Sequence, residues 1–459
     1  MLPKEFLDRV KNQNYIDFKG LTEALESPSP VSIRVNTFKW NKKPGLSPPV
    51  PWCRDGYYLK TRPSFTADPL FHSGCYYPQE ASSMFLEQAF NQLVTRNGYI
   101  RVLDLCGAPG GKSTHLSSLI GDNGLLVANE SIGKRAGVLA ENITKWGIGN
   151  AIVTNNDPAA FSSLKNYFDL ILIDAPCSGE GMFSDQVARS EWSPGNAALC
   201  TERQRRIVTD AWPSLKENGL LIYSTCTFNP AENEENIKWL SEKTGASSVK
   251  LDISKYSGVN ELIFKGITGY SFYPGKIKGE GLFISVVRKT DSLPGNFNRF
   301  LKKSDNQLTA NDKKIAGNLI NTSLNKLYRH NDIVYDLSLP DEEYQTLKNY
   351  LRIIKGGAAL FKIRNDDFTP LHDLALSCKI KKGAFPSAET DYKQSISFLK
   401  KENLILQDTE KGWILLNFRS VNLGFAKNIG SRINNYFPVE RRIRMSDSSL
   451  SAAIVVKWQ

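Results

Sequence analysis

No uninterrupted apolar run in this chain approaches the ~18 residues that a membrane span requires. The opening Met1-Leu2-Pro3-Lys4-Glu5-Phe6 lacks the apolar core and small-residue cleavage site of a secretory signal. A cytoplasmic protein with no membrane partner is therefore expected. Cysteine occurs only as seven scattered residues (Cys53, Cys75, Cys106, Cys177, Cys200, Cys226 and Cys378) with no Cys-x-x-Cys pair. A disulfide framework or zinc ribbon would need closer, paired spacing, so reduced thiols and no metal are expected. Internal repeats and low-complexity tracts are missing as well. Acidic residues are outnumbered: 47 Asp plus Glu stand against 58 Lys plus Arg, a net charge of +11. That balance favours a polyanionic partner, although alone it establishes only affinity for negative charge.

What remains is an ordinary globular composition, 41% hydrophobic and 23% charged, in a chain of 459 residues, long enough for about two to four units. Residues 1–95 read as an α+β region, with Val31-Ser32-Ile33-Arg34-Val35 alternating like a half-buried strand and an amphipathic helix over Ala81 to Leu93. Residues 96–290 change to short apolar runs alternating with helical stretches. The runs begin at Ile100, Leu125, Ala151, Leu170, Leu220 and Leu282, with helices expected near Ser113–Ile120, Lys134–Trp146, Glu202–Lys216 and Ala231–Leu240. Such alternation predicts an α/β fold with a parallel, doubly wound sheet. In these sheets ligands bind beyond the carboxyl ends of the strands. A polar linker is expected at 291–315 (Ser304-Asp305-Asn306-Gln307 and neighbours), then an intermediate region at 316–384 and a last α+β unit at 385–459. Nothing signals an obligate oligomer, so a monomer is expected.

The strand ends carry the chemistry. The first run leads into Asp104-Leu105-Cys106-Gly107-Ala108-Pro109-Gly110-Gly111-Lys112-Ser113, a turn that brings backbone close to a ligand and aims helix N–H groups at it. It is not a P-loop, because Cys106 stands where that motif needs glycine, and Pro109 breaks the dinucleotide fingerprint. A nucleotide-like ligand without a triphosphate fits better. Glu130 closes the second run, where a carboxylate accepts from ribose hydroxyls or is simply solvated. Asn156-Asp157 follows the third run, either as a polar edge for adenine or as a plain turn. The fourth run ends in Asp174-Ala175-Pro176-Cys177-Ser178-Gly179-Glu180-Gly181, and the fifth in Ser224-Thr225-Cys226-Thr227. Buried cysteines usually act as small hydrophobes, which suits Cys53, Cys75, Cys200 and Cys378. Cys177 and Cys226 lie instead among small polar residues just past their strands, on the edge that carries the glycine turn.

In this order, the segments resemble the Nol/Nop/Sun family of RNA cytosine-5 methyltransferases. Ser32-Ile33-Arg34-Val35-Asn36-Thr37, Gln79-Glu80-Ala81-Ser82-Ser83 and Asn229-Pro230-Ala231-Glu232-Asn233-Glu234 add to the likeness. Leu423-Gly424-Phe425-Ala426-Lys427-Asn428 and Asn434-Asn435-Tyr436-Phe437-Pro438 are similar to the RsmF-like branch, which modifies 16S ribosomal RNA. Gly107 and Ser113 depart from the family's usual Ala and Thr.

The resemblance implies a class I, Rossmann-like methyltransferase domain with S-adenosylmethionine as cofactor. The cofactor would be held by Cys106, Gly107, Ala108, Pro109, Gly110, Gly111 and Lys112, and by Glu130, Arg135, Asp157 and Asp174. Cys226 is implied as the nucleophile, Cys177 as the thiol that assists adduct release, Asp174 as the reader of the cytosine edge, and Lys112 as electrostatic support. A thiolate is needed because carbon-5 of cytosine takes a methyl group only once carbon-6 carries a nucleophile. Residues 1–95 are expected to bind RNA together with the last unit, which is implied to be a PUA-like RNA-binding fold. There Lys427, Arg432, Arg441, Arg442 and Arg444 would meet phosphates beside Phe425, Tyr436 and Phe437, rings that stack on bases or belong to an ordinary core. Three rivals stay open: a transfer RNA substrate, DNA methylation with Cys177 of the Pro-Cys pair as attacker, and a non-catalytic RNA-binding assembly factor.

Overall fold

The computed structural model describes the chain except for residues 96–97, 292–294, 296, 298–307, 338, 365–366 and 408. Most of the stretch expected to be a linker lies outside the described residues. Its C-terminal part is helical over Ala310–Leu319, a helix whose capping box has Thr309 accepting from the Asp312 N–H.

Three short antiparallel strands form the N-terminal sheet, with β1 (Val31–Val35) between β2 (Gly56–Leu59) and β3 (Tyr76–Pro78). Its anchor is Arg34, which is 2% exposed. The guanidinium donates to Gln79 Oε1 at 2.8 Å and Thr114 Oγ1 at 2.6 Å, and lies 4.3 Å from the Trp146 ring centre. The N-terminal region is thereby fixed to the helix Gly111–Ile120 that leaves the glycine turn. The helix expected over Ala81 to Leu93 opens as a 3-10 turn, Ser82–Phe85, before becoming α-helical over Leu86–Leu93.

The central sheet has ten strands. β4 (Ile100–Asp104), β5 (Gly124–Asn129), β6 (Ala151–Thr154), β7 (Phe168–Asp174) and β8 (Leu215–Thr225) are mutually parallel. Their near-continuous apolar runs follow from burial on both faces. Val102, Leu126, Leu170 and Ile222 pack toward Phe85 and Phe272, while Leu103, Val127, Ile171 and Leu221 pack toward Phe161 and Trp212. The sheet is not wholly parallel, however. β12 (Leu282–Arg288) runs antiparallel to β8 and also pairs with the short β9 (Ser247–Ser248). Beyond β12 lies an unexpected hairpin, β10 (Val259–Phe264) and β11 (Ile267–Phe272). The helix expected at Glu202–Lys216 spans Pro194–Ala211, started by the Ser193 cap and ended before Pro213, which has no N–H to continue it. The next helix lies at Glu234–Thr244 rather than Ala231–Leu240, because Pro230–Glu232 forms a 3-10 turn first.

After the helix Ala310–Leu319, β13 (Leu327–His330), β14 (Ile333–Asp336), β16 (Ala358–Arg364) and β17 (Asp367–Pro370) form a four-stranded sheet. Between them in sequence, β15 (Ile353–Gly356) leaves that sheet and pairs with β6, closing one edge of the central sheet. The last sheet is β18 (Ser387–Glu389), β19 (Gly412–Phe418), β20 (Val421–Asn428) and β21 (Ile433–Asn435). Phe425 and Phe437 belong to its core at 1% and 2% exposure, so they are not stacking platforms; Tyr436 is exposed and packs edge-on against Trp413. Lys427 stands over the Trp413 ring, while Arg432, Arg442 and Arg444 are exposed to solvent. Among the described residues no helix is long and apolar enough to cross a membrane.

Candidate active site

The turn after β4 is a cradle with little spare room. Asp104 Oδ2 accepts from Ser113 Oγ at 2.6 Å, whereas its Oδ1 is buried with no partner among the described residues. Burial, with Asp174 and Glu130 nearby, pushes this carboxyl up to about 7 despite the Ser113 bond. Gly107 donates its N–H to the Asn129 carbonyl, and a Cβ added there would lie 2.7 Å from Ser113 Oγ. Glycine at 107 therefore matches the hydroxyl that reaches across it. Gly110 has φ +120°, a conformation that side chains disfavour. Arg135 donates to the Ala108 carbonyl at 2.9 Å and lies 3.4 Å from Glu130, which is 3% exposed. Half-buried Cys106 has its thiol pushed up by burial. Asp157 stands apart: it caps the turn Pro158–Ser163 through Ala159 N–H, faces Arg206 at 3.4 Å, and is exposed.

β7 and β8 are adjacent and parallel, with Asp174 opposite Ser224, so the loops after them emerge side by side. The two sulfurs meet there. Cys177 Sγ lies 3.2 Å from Cys226 Sγ and 3.4 Å from the Cys226 backbone nitrogen, and both cysteines are free. The contact with Cys226 and then burial hold the Cys177 thiol well above its ordinary value. Asp174 takes an ion pair from Lys112 at 2.8 Å and a hydrogen bond from Ser224 Oγ at 2.8 Å. Burial alone would lower Lys112, but Asp174, and then Cys226, hold its ammonium above the usual range. One carboxylate thus ties the glycine-turn lysine to the two cysteine strands.

Family profiles match three stretches: 16S rRNA methyltransferase RsmB/F over residues 92–288, the N-terminal domain of 16S rRNA methyltransferase RsmF over 2–81, and the methyltransferase RsmF PUA domain over 385–443. A ribosomal RNA small subunit methyltransferase F from Salmonella agona (strain SL483) is 31% identical, across 95% of this chain and 96% of the relative. Its counterpart from Shigella boydii serotype 4 is 30% identical across 95% and 96%. The chain belongs to this family of methyltransferases. Among solved structures, a methyltransferase homolog from Pyrococcus horikoshii is 27% identical with a TM-score of 0.51, covering 63% of this chain and 100% of that one. NSun6 from the same organism, solved with SFG, is 21% identical with a TM-score of 0.52 over 63% and 99%, and shares the fold.

Membership makes S-adenosylmethionine the cofactor, and the site fits it. The unpartnered Asp104 oxygen, the glycine cradle and the buried Glu130 carboxylate offer acceptors and close backbone approach at one sheet edge. Sequence reasoning missed the groups that hold this methyltransferase's cysteine loops. Glu232, fully buried, accepts from Ser178 N at 2.9 Å, Ser178 Oγ at 2.5 Å and Gln204 Nε2 at 2.9 Å. Glu180 accepts from Phe228 N at 3.0 Å, Trp192 Nε1 at 3.2 Å and Arg9 at 2.5 Å. Arg9 also donates to the Phe228 carbonyl at 3.0 Å, so helix Lys4–Lys11 clasps the loop just past Cys226. Glu232 and Glu180 stand inside the family motifs, but Ser178, Gln204, Phe228 and Arg9 reach them from distant parts of the sequence. A separate buried group of ligand-type atoms, Cys53, Glu87 and His115, sits between helices, with His115 Nε2 3.1 Å from Glu87.

Proposed function

We propose that the protein methylates carbon-5 of a cytosine in 16S ribosomal RNA, with Cys226 as nucleophile and Cys177 assisting release. The observation that carries this reading is the sulfur pair at 3.2 Å, beside the Lys112–Asp174 ion pair, on the edge that bears the glycine cradle. S-adenosylmethionine, held by Cys106–Lys112, Glu130 and Arg135, supplies an electrophilic methyl group. Asp157 contributes from the next loop along the edge.

The residues of the chain do the rest. Cys226 Sγ, its proton lost to solvent, bonds to carbon-6, and the electron pair of the ring's 5,6 double bond moves to carbon-5, the position that takes the methyl group. Lys112 favours the anionic sulfur electrostatically. Asp174 keeps about a third of its side chain open (36%) and accepts from the cytosine amino group; a uracil oxygen at that place would set one acceptor against another. Release requires loss of the carbon-5 proton and cleavage of the carbon-6–sulfur bond. Cys177, whose thiol is held protonated beside Cys226, assists by giving its proton to the departing Cys226 sulfur, while the carbon-5 proton passes to solvent. Membership in a family of ribosomal RNA methyltransferases speaks against the DNA-type alternative with Cys177 as attacker. The base must leave its stack to reach the sulfurs, so unpaired or flipped RNA is the substrate form. Ribosomal RNA as substrate assigns the enzyme to the cytoplasm.

Trapping on RNA that carries 5-fluorocytosine tests the assignment. Cys226→Ala abolishes the covalent adduct, and Cys177→Ala lets an adduct accumulate on ordinary RNA. The reverse pattern overturns it.

A further inference from the structure

A cavity of about 620 Å³ lies where helix Gly133–Trp146, strand β15 and the segment around Arg441 meet, and it shares no lining residue with the cysteine pair. Its volume is in the range of small-ligand sites. One wall is aromatic: Tyr335 stacks on Tyr328 with ring centres 5.0 Å apart and planes 11° apart, and Tyr344 lies 4.8 Å from Tyr328. The other side is cationic, formed by Lys348, Arg352, Lys355 and Arg441. Asp373 is the one carboxylate among the described lining residues, and it is already engaged by Lys355 and the Ala359 N–H. Among the described residues Arg441 Nη1 is buried and meets no acceptor. A buried guanidinium N–H without a partner is costly, and an anionic oxygen is the acceptor that suits it.

We infer that this cavity is a second RNA subsite, taking one nucleotide of single-stranded RNA with its base against the tyrosine wall and its phosphate on Arg441 and Arg352. Aromatic stacking combined with guanidinium contacts to the backbone is how unpaired RNA is held without sequence reading. The site is set by the whole chain, because β15 belongs to the region beyond the linker yet pairs with β6 of the methyltransferase sheet. The backbone of Arg352 seals that junction: its carbonyl accepts from Asn155 N at 3.0 Å and its N–H donates to Asn156 Oδ1 at 2.9 Å. The side chain of Arg352 is exposed and available to a ligand. The inference rests on RNA being the substrate.

Fluorescence anisotropy of the full-length protein with a labelled single-stranded oligoribonucleotide, over a salt series, tests it. Arg352→Gln with Arg441→Gln weakens binding and flattens the salt dependence by ~0.7 per phosphate contact removed. Tyr335→Ala weakens binding roughly fivefold to a hundredfold with the salt slope unchanged, the signature of a lost stack. The exposed Lys348→Gln, combined with Arg352→Gln, tests the charge without touching the packed tyrosines. Wild-type protein that binds no RNA overturns both the RNA reading and the subsite. Wild-type binding matched by every folded variant overturns the subsite alone. Cytidine monophosphate binding that these substitutions abolish, with RNA affinity unaltered, makes it a free-nucleotide site and also overturns the inference.

Discussion

The Cys177 sulfur rests 3.2 Å from the Cys226 sulfur with no bond between them. Two thiols at this separation need only a small movement to reach the ~2.05 Å of a disulfide. Mild oxidation with hydrogen peroxide should therefore couple them, two thiols giving one disulfide and water. Activity and two titratable thiols should vanish together, and dithiothreitol should restore both. Cys177→Ser removes the partner, so the same treatment then leaves no reducible cross-link, as peptide mass mapping will read.

Lys112 is the cation at the sulfur edge, paired with Asp174 at 2.8 Å. Lys112→Met keeps the stem and removes the charge. Adduct formation on 5-fluorocytosine RNA should slow by about 10²-fold, the scale of losing one preorganised charge. A rate within twofold of wild type would exclude the electrostatic role.

Asp104 has its carboxyl pushed from an ordinary 3.8 up to about 7 by burial. A raised carboxyl binds more protons folded than unfolded between those values, so its contribution to stability falls as pH rises through that window. Asp104→Asn keeps an acceptor for Ser113 and removes the titration. The stability of the variant relative to wild type, both without cofactor, should climb between pH 4 and 7 and level off above, by up to roughly 4 kcal/mol. Urea melts at stepped pH check this; a difference independent of pH would refute the shift.

Arg9 reaches Glu180, which is fully buried, from a helix at the far N-terminal end of the chain. Arg9→Gln leaves that carboxylate with only neutral donors and should cost about 1–3 kcal/mol, less than a wholly buried pair because Arg9 is 25% exposed. The loop after Cys226 loses its clasp, so turnover should fall more than RNA affinity. Equal losses in kcat and affinity would show that the helix serves stability alone.

Glu232 to Ser178 is the tie that holds the Cys177 loop. Glu232→Ala strands the Ser178 N–H and one N–H of the Gln204 amide in the interior, at ~1–3 kcal/mol for each unmet group. Glu232→Gln retains an acceptor and should recover much of the stability. Thermal melts of the two variants separate these outcomes.

The parallel core was legible because β4 to β8 are apolar on both faces, which leaves unbroken runs such as Leu170 to Ile173. The hairpin was not, since Val259-Asn260-Glu261 and Thr268-Gly269 mix polar and small residues into strands at the sheet's margin. β15 was hidden for a related reason: four residues ending in Lys355-Gly356 carry too little pattern, and its partner β6 is distant in sequence. Cys177, Cys226, Asp174 and the glycine turn could be placed at one edge from strand order alone. Their geometry could not, because the contacts that set it, Arg34 to Thr114 or Arg9 to Glu180, join segments that no local period relates. Phe425 and Phe437 could be read in sequence as stacking rings or as ordinary core, and burial decides for the core.

β6 and β15 pair across a gap that includes the linker and everything before Ile353. During synthesis the rim strand of the methyltransferase sheet emerges long after the others, and until then β6 presents open N–H and C=O groups. A fragment stopping near residue 290 keeps every methyl-transfer residue but leaves that rim raw, and should aggregate where the full chain does not. The catalytic sheet is closed from behind: its last edge strand comes from the region that follows the catalytic residues in the sequence.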